Sequence, residues 1–240
     1  LVHSNSGNHS EALSCSLQAL DCYRGTGHRV DEGNMLNTIA SIYHELGDTD
    51  RAIVNYEAAM NANAQLNRPD FDAITLANVS SLRAERGEFD IAIEIGERAL
   101  ALCRIHAVGF LPEVLAALAS AYGGRGEFDQ ARTLLNAALA MLDASSVSFD
   151  DAVRSSVELA FGRVELCAKN DAEALSHFCH ALGLAEMINA KPIEFSAHCA
   201  LADLYKATGQ FEEAVYHLEK KFAINQSIFN EGTDIRIKTL

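Results

Sequence analysis

The 240-residue chain contains no tryptophan and only three prolines, and its aromatic residues amount to 7% of the total. Proline interrupts helices because it lacks the backbone N–H donor, so a chain this poor in proline and dominated by Ala and Leu favours helices. Apolar residues still make up 49% of the sequence, which is ample material for a core. The length allows one or two compact domains or a single repetitive array.

Positive charge is also scarce, with 19 Lys and Arg against 33 Asp and Glu and a formal net charge of −14. Proteins that bind nucleic acids or anionic membranes present clustered Lys and Arg, so we expect neither partner. No apolar run approaches the roughly 20 residues of a membrane-spanning helix, which argues against membrane insertion. Because the first residue is Leu1 rather than Met, the sequence leaves a preceding segment, including a signal peptide, open.

Motifs for catalysis and metal binding are lacking as well. The sequence contains no GxSxG, phosphate loop or HExxH, and His177 and His180 have no obvious convergent ligands. We therefore expect no enzymatic activity, metal or cofactor within these residues. The six cysteines form no CxxC pair and mostly fall in apolar helical patterns, so we predict reduced core cysteines in a cytoplasmic protein; they are residues 15, 22, 103, 167, 179 and 199.

One seven-residue motif is nearly duplicated, as RGEFDIA at 86–92 and RGEFDQA at 125–131. Related segments end at Ala12, Ala52, Ala92, Ala131, Ala174 and Ala214, with spacings of 40, 40, 39, 43 and 40 residues. A fixed period in this range is typical of solenoids. We predict repeat corners near 7–12, 47–52, 87–92, 126–131, 169–174 and 209–214.

The residues before each corner follow a helical pattern. Eight positions before the corner Gly stands a large apolar residue, seven before it a small one, and in three copies four before it a Tyr, as in Ile39, Ala40 and Tyr43 before Gly47. Spacings of three and four place these side chains on one helix face. The small residue lets a neighbouring helix approach closely, while the large ones fill the space around that contact.

The corner itself predicts a helix–turn–helix. Gly adopts the left-handed conformation that often ends a helix, and the acidic residues after it suit the positive end of the next helix dipole. Phe89, Phe128 and Phe211 are expected to pack across the turn. The pattern predicts eleven helices, near 9–24, 32–46, 50–66, 71–86, 89–107, 112–125, 128–143, 150–168, 172–189, 193–208 and 212–231, with a loop at 145–148.

Together these residues resemble the tetratricopeptide repeat (TPR) family over roughly residues 7–230. The resemblance implies an all-α fold, a right-handed α-solenoid of about five and a half TPR helix pairs, and a protein or peptide partner. The unit here is about 40 residues rather than the usual 34 or so. This length resembles the long-repeat subtype of bacterial signalling proteins, which includes peptide-pheromone receptors.

The last stretch, from His217 onward, resembles the segment that follows the repeats in bacterial sensor histidine kinases and diguanylate cyclases with TPR input regions. That resemblance implies a solenoid over 1–224 and the start of a helical connector over 225–240, in which Ile235, Ile237 and Leu240 contribute apolar positions. A stand-alone scaffold or adaptor and a peptide-pheromone-type receptor remain alternatives. The first helix reads as the second of a pair, so a homodimer through open solenoid ends is a further expectation.

In the family, the first helix of each pair builds the concave wall of a groove. Counting 13, 10, 6, 3 and 2 residues back from each corner, and adding the neighbouring Asn78, gives the candidate binding residues Asn34, Asn37, Ser41, His44, Asn78, Ser81, Glu113, Ser120, Arg163, Asp203 and Lys206. The Asn amides can both donate to and accept from a peptide backbone. The alternative is a solvated face without a ligand. A carboxylate-clamp co-chaperone is rejected, because Asn78 alone falls at a clamp position of that subfamily.

Overall fold

The computed structural model of the protein describes residues 9–238 except 47, 64, 65, 67 and 145–150, with the backbone alone described at 9, 10, 45 and 227–238. In this part of the chain there are eleven α-helices, one 3-10 turn at Val108–Phe110 and no β-strand. The helices are α1 His9–Thr26, α2 Arg29–Glu45, α3 Thr49–Asn63, α4 Pro69–Glu85, α5 Phe89–His106, α6 Leu111–Arg125, α7 Phe128–Ala144, α8 Asp151–Cys167, α9 Asp171–Met187, α10 Lys191–Ala207 and α11 Phe211–Lys238.

The predicted all-α solenoid is confirmed, and the helix ends lie within three residues of their predicted positions except at the end of α11. That helix continues to Lys238 rather than stopping near residue 231, and it passes without a break through the predicted boundary at 224. A connector over 225–240 stays a prediction. The corner glycines Gly7 and Gly47, the loop at 145–148 and Leu240 lie outside the described residues.

The helices stack as pairs, α2 with α3, α4 with α5, α6 with α7, α8 with α9 and α10 with α11. The first helices also contact one another, since α6 touches both α4 and α8, and α8 touches α10. They therefore form one continuous wall, while the second helices of the pairs lie behind them. A single apolar core runs between α4 and α8 and includes Leu118, Leu135 and Val157.

The corners end their first helices with the same backbone arrangement. Gly87 has a φ of 76°, and its N–H donates to the Ala84 carbonyl while the Glu88 N–H donates to the Arg83 carbonyl, both at 2.9 Å. These two bonds satisfy carbonyls that the helix leaves unpaired. At the corner without a Gly, Lys169 takes the left-handed conformation instead, with a φ of 62°.

The small residue seven positions before each corner is buried, as expected. Ala40, Ser80 and Ala119 are fully buried, and Ala202 is nearly so. At Gly162 the ring of Phe178 from α9 packs directly on the helix backbone, in the space that a β-carbon would occupy. The small side chain is thus what permits close approach of the second helix of the same pair.

Two expectations about side-chain burial are wrong. Four of the six cysteines are exposed, namely Cys15, Cys22, Cys167 and Cys179, because they fall on the helix faces turned to solvent; Cys103 is buried and Cys199 half-buried. Phe211 does not pack across its turn and is 67% exposed. The equivalent Phe89 is half-buried because its ring contacts Gly124 of the following pair.

Candidate functional site

The concave wall contains a cavity of about 470 Å³ between α4, α6 and α8. Its floor is apolar and built largely from small or β-branched residues, among them Ile74, Ala77, Val114, Ala116, Val157 and Ala160. Polar side chains surround this floor and include Asn78, Ser81, Ser120, Ser156, Arg163 and Ser196. Short side chains in the first helices leave the open space, and the polar ones offer donors and acceptors along it.

Six of the eleven predicted binding residues line this one cavity: His44, Asn78, Ser81, Glu113, Ser120 and Arg163. They come from four successive helix pairs, α2 to α8, so the repeat register brings them together across more than a hundred residues of sequence. Their role in binding stays a prediction. Ser156 and Ser196 also line the cavity and occupy the same counted positions, so the count alone finds them.

The other five predicted residues lie outside the cavity. Asn37 accepts a hydrogen bond from the Thr75 hydroxyl at 3.2 Å, and Ser41 shares one with the Tyr56 hydroxyl at 3.0 Å. These contacts tie α2 to its neighbours rather than presenting the groups to a ligand. Asn34, Asp203 and Lys206 are exposed near the two ends of the solenoid.

One end of the cavity carries a linked set of charges. The Nε2 atom of His44 lies 3.0 and 3.2 Å from the carboxylate oxygens of Glu85. Burial alone raises the pKa of Glu85, but the hydrogen bond from His44 and the charges of His44 and Arg163 outweigh it and lower that pKa. The carboxylate is therefore ionised at neutral pH, and the exposed Arg163 faces it across the groove.

Residues from the connecting turns were missed by the sequence reasoning. Phe110 belongs to the 3-10 turn before α6, and Pro192 and Ile193 begin α10, yet all three line the cavity. The prolines at the start of α4, α6 and α10 mark where each first helix enters the wall. These prolines are therefore the feature of the sequence from which this edge of the groove could have been predicted.

A buried carboxylate links α8 to α9 behind the groove. Glu158 accepts hydrogen bonds from His177 Nδ1 at 2.6 Å and His180 Nδ1 at 3.0 Å, and the His177 ring stacks on Phe161. Burial raises the pKa of Glu158, but the two histidines reverse the shift and lower it. These contacts join α9 to α8. Within the described residues no group of three or more His, Cys, Asp or Glu could hold a metal ion.

A second histidine contact joins α10 to α11. His198 on α10 and His217 on α11 are both buried, and their Nδ1 atoms lie 2.8 Å apart, so one donates and the other accepts. Burial lowers the pKa of both. The two residues are 19 positions apart on different helices, and no local pattern in the sequence pairs them.

Family models described as tetratricopeptide repeat match residues 1–65, 31–105 and 195–226. The chain belongs to the tetratricopeptide repeat family. The matches at both ends of the solenoid agree with the repeated corners and with the buried small residues between them. A TPR solenoid is a protein-interaction module, so binding other polypeptides is the general role of this chain.

Solved structures share the TPR solenoid. A Rap protein complexed with competence and sporulation factor is similar with a TM-score of 0.70 and 14% identity, over 84% of this chain and 55% of that one. A thermophilic TPR protein of Thermus thermophilus is similar with a TM-score of 0.60 and 18% identity, over 85% of this chain and 99% of that one. BtubC of P. vanneervenii is similar with a TM-score of 0.58 and 17% identity, over 92% of each chain.

At these sequence identities the similarity shows the fold alone. The chain described here covers 55% of the Rap protein, which is about half of its length. No curated protein sequence matches this chain significantly. Among the helices that the structure describes, none combines the length and apolar character needed to cross a membrane.

Proposed function

We propose that the concave groove binds an extended peptide segment and that the solenoid is the regulatory input region of a larger bacterial signalling protein. The observation that carries the first part is the cavity of about 470 Å³ between α4, α6 and α8. It combines an apolar floor with a polar rim on the wall that the first helices share. Ligand sites in proteins commonly have this composition, with few polar groups that set orientation.

The spacing of the helices suits a short extended chain. Packed helix axes lie about 8–10 Å apart, so the three first helices that border the cavity span about 20 Å between their outer axes. At about 3.3 Å per residue, about six residues of extended peptide cover that distance. The small Ala77, Ala116 and Ala160 leave room above the floor for apolar side chains of such a peptide.

The polar rim suits a peptide backbone and one negative group. The Asn78 amide can donate to a carbonyl and accept from an N–H of the same peptide unit, and the hydroxyls of Ser81 and Ser120 lie along the same wall. Arg163 is an exposed cation in the cavity, although Glu85 faces it. We expect a bound peptide to place an acidic group on the side of Arg163 away from Glu85 and His44.

The Rap likeness supports the class of ligand. That protein was solved with competence and sporulation factor bound, and its solenoid matches 84% of this chain. The factor itself is not assigned to this chain, since the identity is 14%.

The groove is tested with peptides selected from a random seven-residue display library on the purified protein. Affinity of each selected peptide is measured by fluorescence anisotropy for the wild type and for Asn78→Ala and Arg163→Ala. We expect each variant to weaken binding about tenfold or more, which is about 1.4 kcal/mol. The matched controls Asn136→Ala and Arg98→Ala change exposed residues of α7 and α5 and should leave affinity unchanged. Peptides that bind both groove variants as tightly as the wild type would place the site elsewhere.

The regulatory part of the proposal is tested by reading the gene beyond the codon for Leu240. A coiled segment followed by a kinase or cyclase domain after Leu240 would support it. Deletion of residues 225–240 should then uncouple ligand from output. A stop codon within a few residues would contradict it and favour the stand-alone adaptor.

A further inference from the structure

Four large apolar side chains form an exposed line on the first half of α11, called here the α11 stripe. Phe211, Val215, Leu218 and Phe222 are 67%, 52%, 49% and 62% exposed. Their spacing of four, three and four residues places them on one face of the helix. A continuous exposed apolar face of this kind is a mark of an interaction surface rather than of isolated surface residues.

The stripe occupies positions that are buried or half-buried in α5. Its residues lie 2, 6, 9 and 13 positions after Gly209. The same positions after Gly87 are Phe89, Ile93, Gly96 and Leu100 of α5, of which Phe89 is half-buried and the others are buried. Nine positions after the other two described corners stand Leu135 and Phe178, both fully buried. Leu218 is the equivalent residue in α11 and is half exposed.

The corresponding face of α5 is covered by α6, the first helix of the following pair. The Phe89 ring contacts the backbone of Gly124 in α6, and a β-carbon added at Gly96 would lie 2.8 Å from Leu118 Cδ1. Leu118 is thus the part of α6 that lies over the second helix of the preceding pair. A helix that covers the α11 stripe needs the same pattern, with a large apolar residue at this contact.

A charge at the edge of the stripe repeats as well. Asp90 lies three positions after Gly87 and accepts a hydrogen bond at 2.9 Å from Arg125 at the end of α6. Asp50 forms the same pair with Arg86 at the end of α4. Glu212 lies three positions after Gly209 and is exposed. A covering helix that ends in Arg would place the guanidinium group beside this carboxylate.

The described part of the chain does not supply that helix. Helix α5 ends at His106, 19 residues after Gly87, and the chain then turns back to form α6. Helix α11 is still unbroken at Lys238, 29 residues after Gly209. The helices α2, α4, α6, α8 and α10, which carry the pattern in this chain, are packed inside the solenoid, so a second copy has none of them to offer.

We propose that the α11 stripe is a docking site for an amphipathic α-helix of a partner protein, and that this helix resembles α6. It carries a large apolar residue at its contact with Leu218. Seven residues after that residue, as Arg125 follows Leu118 in α6, a basic residue near its C-terminal end pairs with Glu212. The helix continues the stacking of the solenoid by one element, on a surface separate from the concave groove.

The probe is a fluorescein-labelled peptide with the sequence of residues 107–127 of this chain, titrated with the whole 240-residue protein and followed by anisotropy. We expect saturable binding, weakened about tenfold or more by Leu218→Asp in the protein. Ile105→Asp is the matched control, because Ile105 is 74% exposed on α5, outside the stripe, and it should leave the affinity unchanged. A peptide with Leu118→Asp should also lose binding, because it lacks the large apolar side chain that contacts the position of Leu218.

The charge pair gives a second, independent test. Glu212→Arg in the protein should weaken binding of the peptide, and Arg125→Glu in the peptide should restore it. Absence of saturable binding, or binding that Leu218→Asp leaves unchanged, would overturn the proposal. Sedimentation equilibrium tests whether a second copy of this chain occupies the α11 stripe instead. A concentration-dependent dimer that Leu218→Asp abolishes would show that a second copy covers the stripe, and would overturn the proposal equally.

Discussion

Arg125, the last residue of α6, donates a hydrogen bond at 2.9 Å to the carboxylate of Asp90, in the first turn of α5 and 35 positions earlier in the chain. Arg125 also pairs with Glu127 of its own corner. Arg86 makes the equivalent two contacts, with Asp50 and Glu88. The charged residues of the RGEFD motif thus form a ladder of ion pairs that joins consecutive corners. This contact between repeats explains why the motif occurs twice.

The close approach at Gly162 predicts opposite effects for two substitutions of helical glycines by alanine. In Gly162→Ala the new methyl group collides with the Phe178 ring, so we expect a loss of about 1–3 kcal/mol in the free energy of unfolding. In Gly183→Ala nothing lies within 4 Å of the new atom, and the exposed helix should gain about 0.5–1 kcal/mol. Urea denaturation followed by circular dichroism measures both. Equal effects of the two changes would contradict the packing argument.

The left-handed conformation of Lys169 predicts a stabilising substitution. A residue with a β-carbon is strained at a φ of 62°, whereas glycine is not, so Lys169→Gly should raise the free energy of unfolding by about 1 kcal/mol. Lys169→Ala removes the same long side chain but keeps the β-carbon, and it should give no such gain. Thermal unfolding of the three proteins distinguishes the two cases. A gain in both variants would assign the effect to the lysine side chain instead.

The buried end of α8 depends on one ion pair. Glu165 is 3% exposed and accepts two hydrogen bonds from Arg132, at 2.7 and 2.8 Å, and one from Asn170. Arg132→Ala leaves this carboxylate buried with fewer donors, so we expect a loss of about 1–3 kcal/mol. Arg98→Ala, at an exposed position of α5, is the control and should change the free energy of unfolding by less than about 0.5 kcal/mol.

The same carboxylate predicts a dependence on acid. The hydrogen bond from Arg132 lowers the pKa of Glu165 below 4.5, and the Asn170 bond adds to this effect. A lowered folded-state pKa contributes stability above the unfolded-state value, and that contribution is lost as pH falls through the folded-state pKa. Between pH 7 and 3, Glu165→Gln should therefore lose less unfolding free energy than the wild type. Parallel pH profiles would refute this role for Glu165.

The contact between His198 and His217 predicts sensitivity at a higher pH. Burial lowers the pKa of both histidines below 6.5; Lys220 adds to the effect at His198 and Glu194 opposes it, while the rings of Tyr205 and Tyr216 pack on His217. Histidines with lowered folded-state pKa values contribute stability that is complete above pH 6.5 and lost as pH falls below it.

The double variant His198→Leu/His217→Phe should therefore lose less unfolding free energy than the wild type between pH 7 and 5. His106→Leu, at an exposed residue at the end of α5, should keep the wild-type slope. An unchanged slope in the double variant would show that the buried pair does not titrate in this range.

The candidate groove was predicted in part. Six of the eleven predicted residues line the cavity, since the repeat places equivalent positions of α4, α6 and α8 on one wall. The helical count could not exclude Asn37 and Ser41, because their neighbours Thr75 and Tyr56 come from other helices and bind them by geometry that no spacing in the sequence records. The exposed cysteines show the same limit, as an apolar helical stretch has a solvated face too.

The sequence by itself determined the repeat period, the eleven helices and the corners, because these depend on contacts within about four residues and on the backbone freedom of single glycines. Tertiary structure decided which polar groups meet. The ladder of Arg125 and Asp90, the pair of His198 and His217 and the exposed α11 stripe arise only when helices stack, since each joins residues of different helices or depends on what covers a face. Short-range sequence patterns thus determine where the helices lie, and the stacking of the helices determines which of their faces are buried.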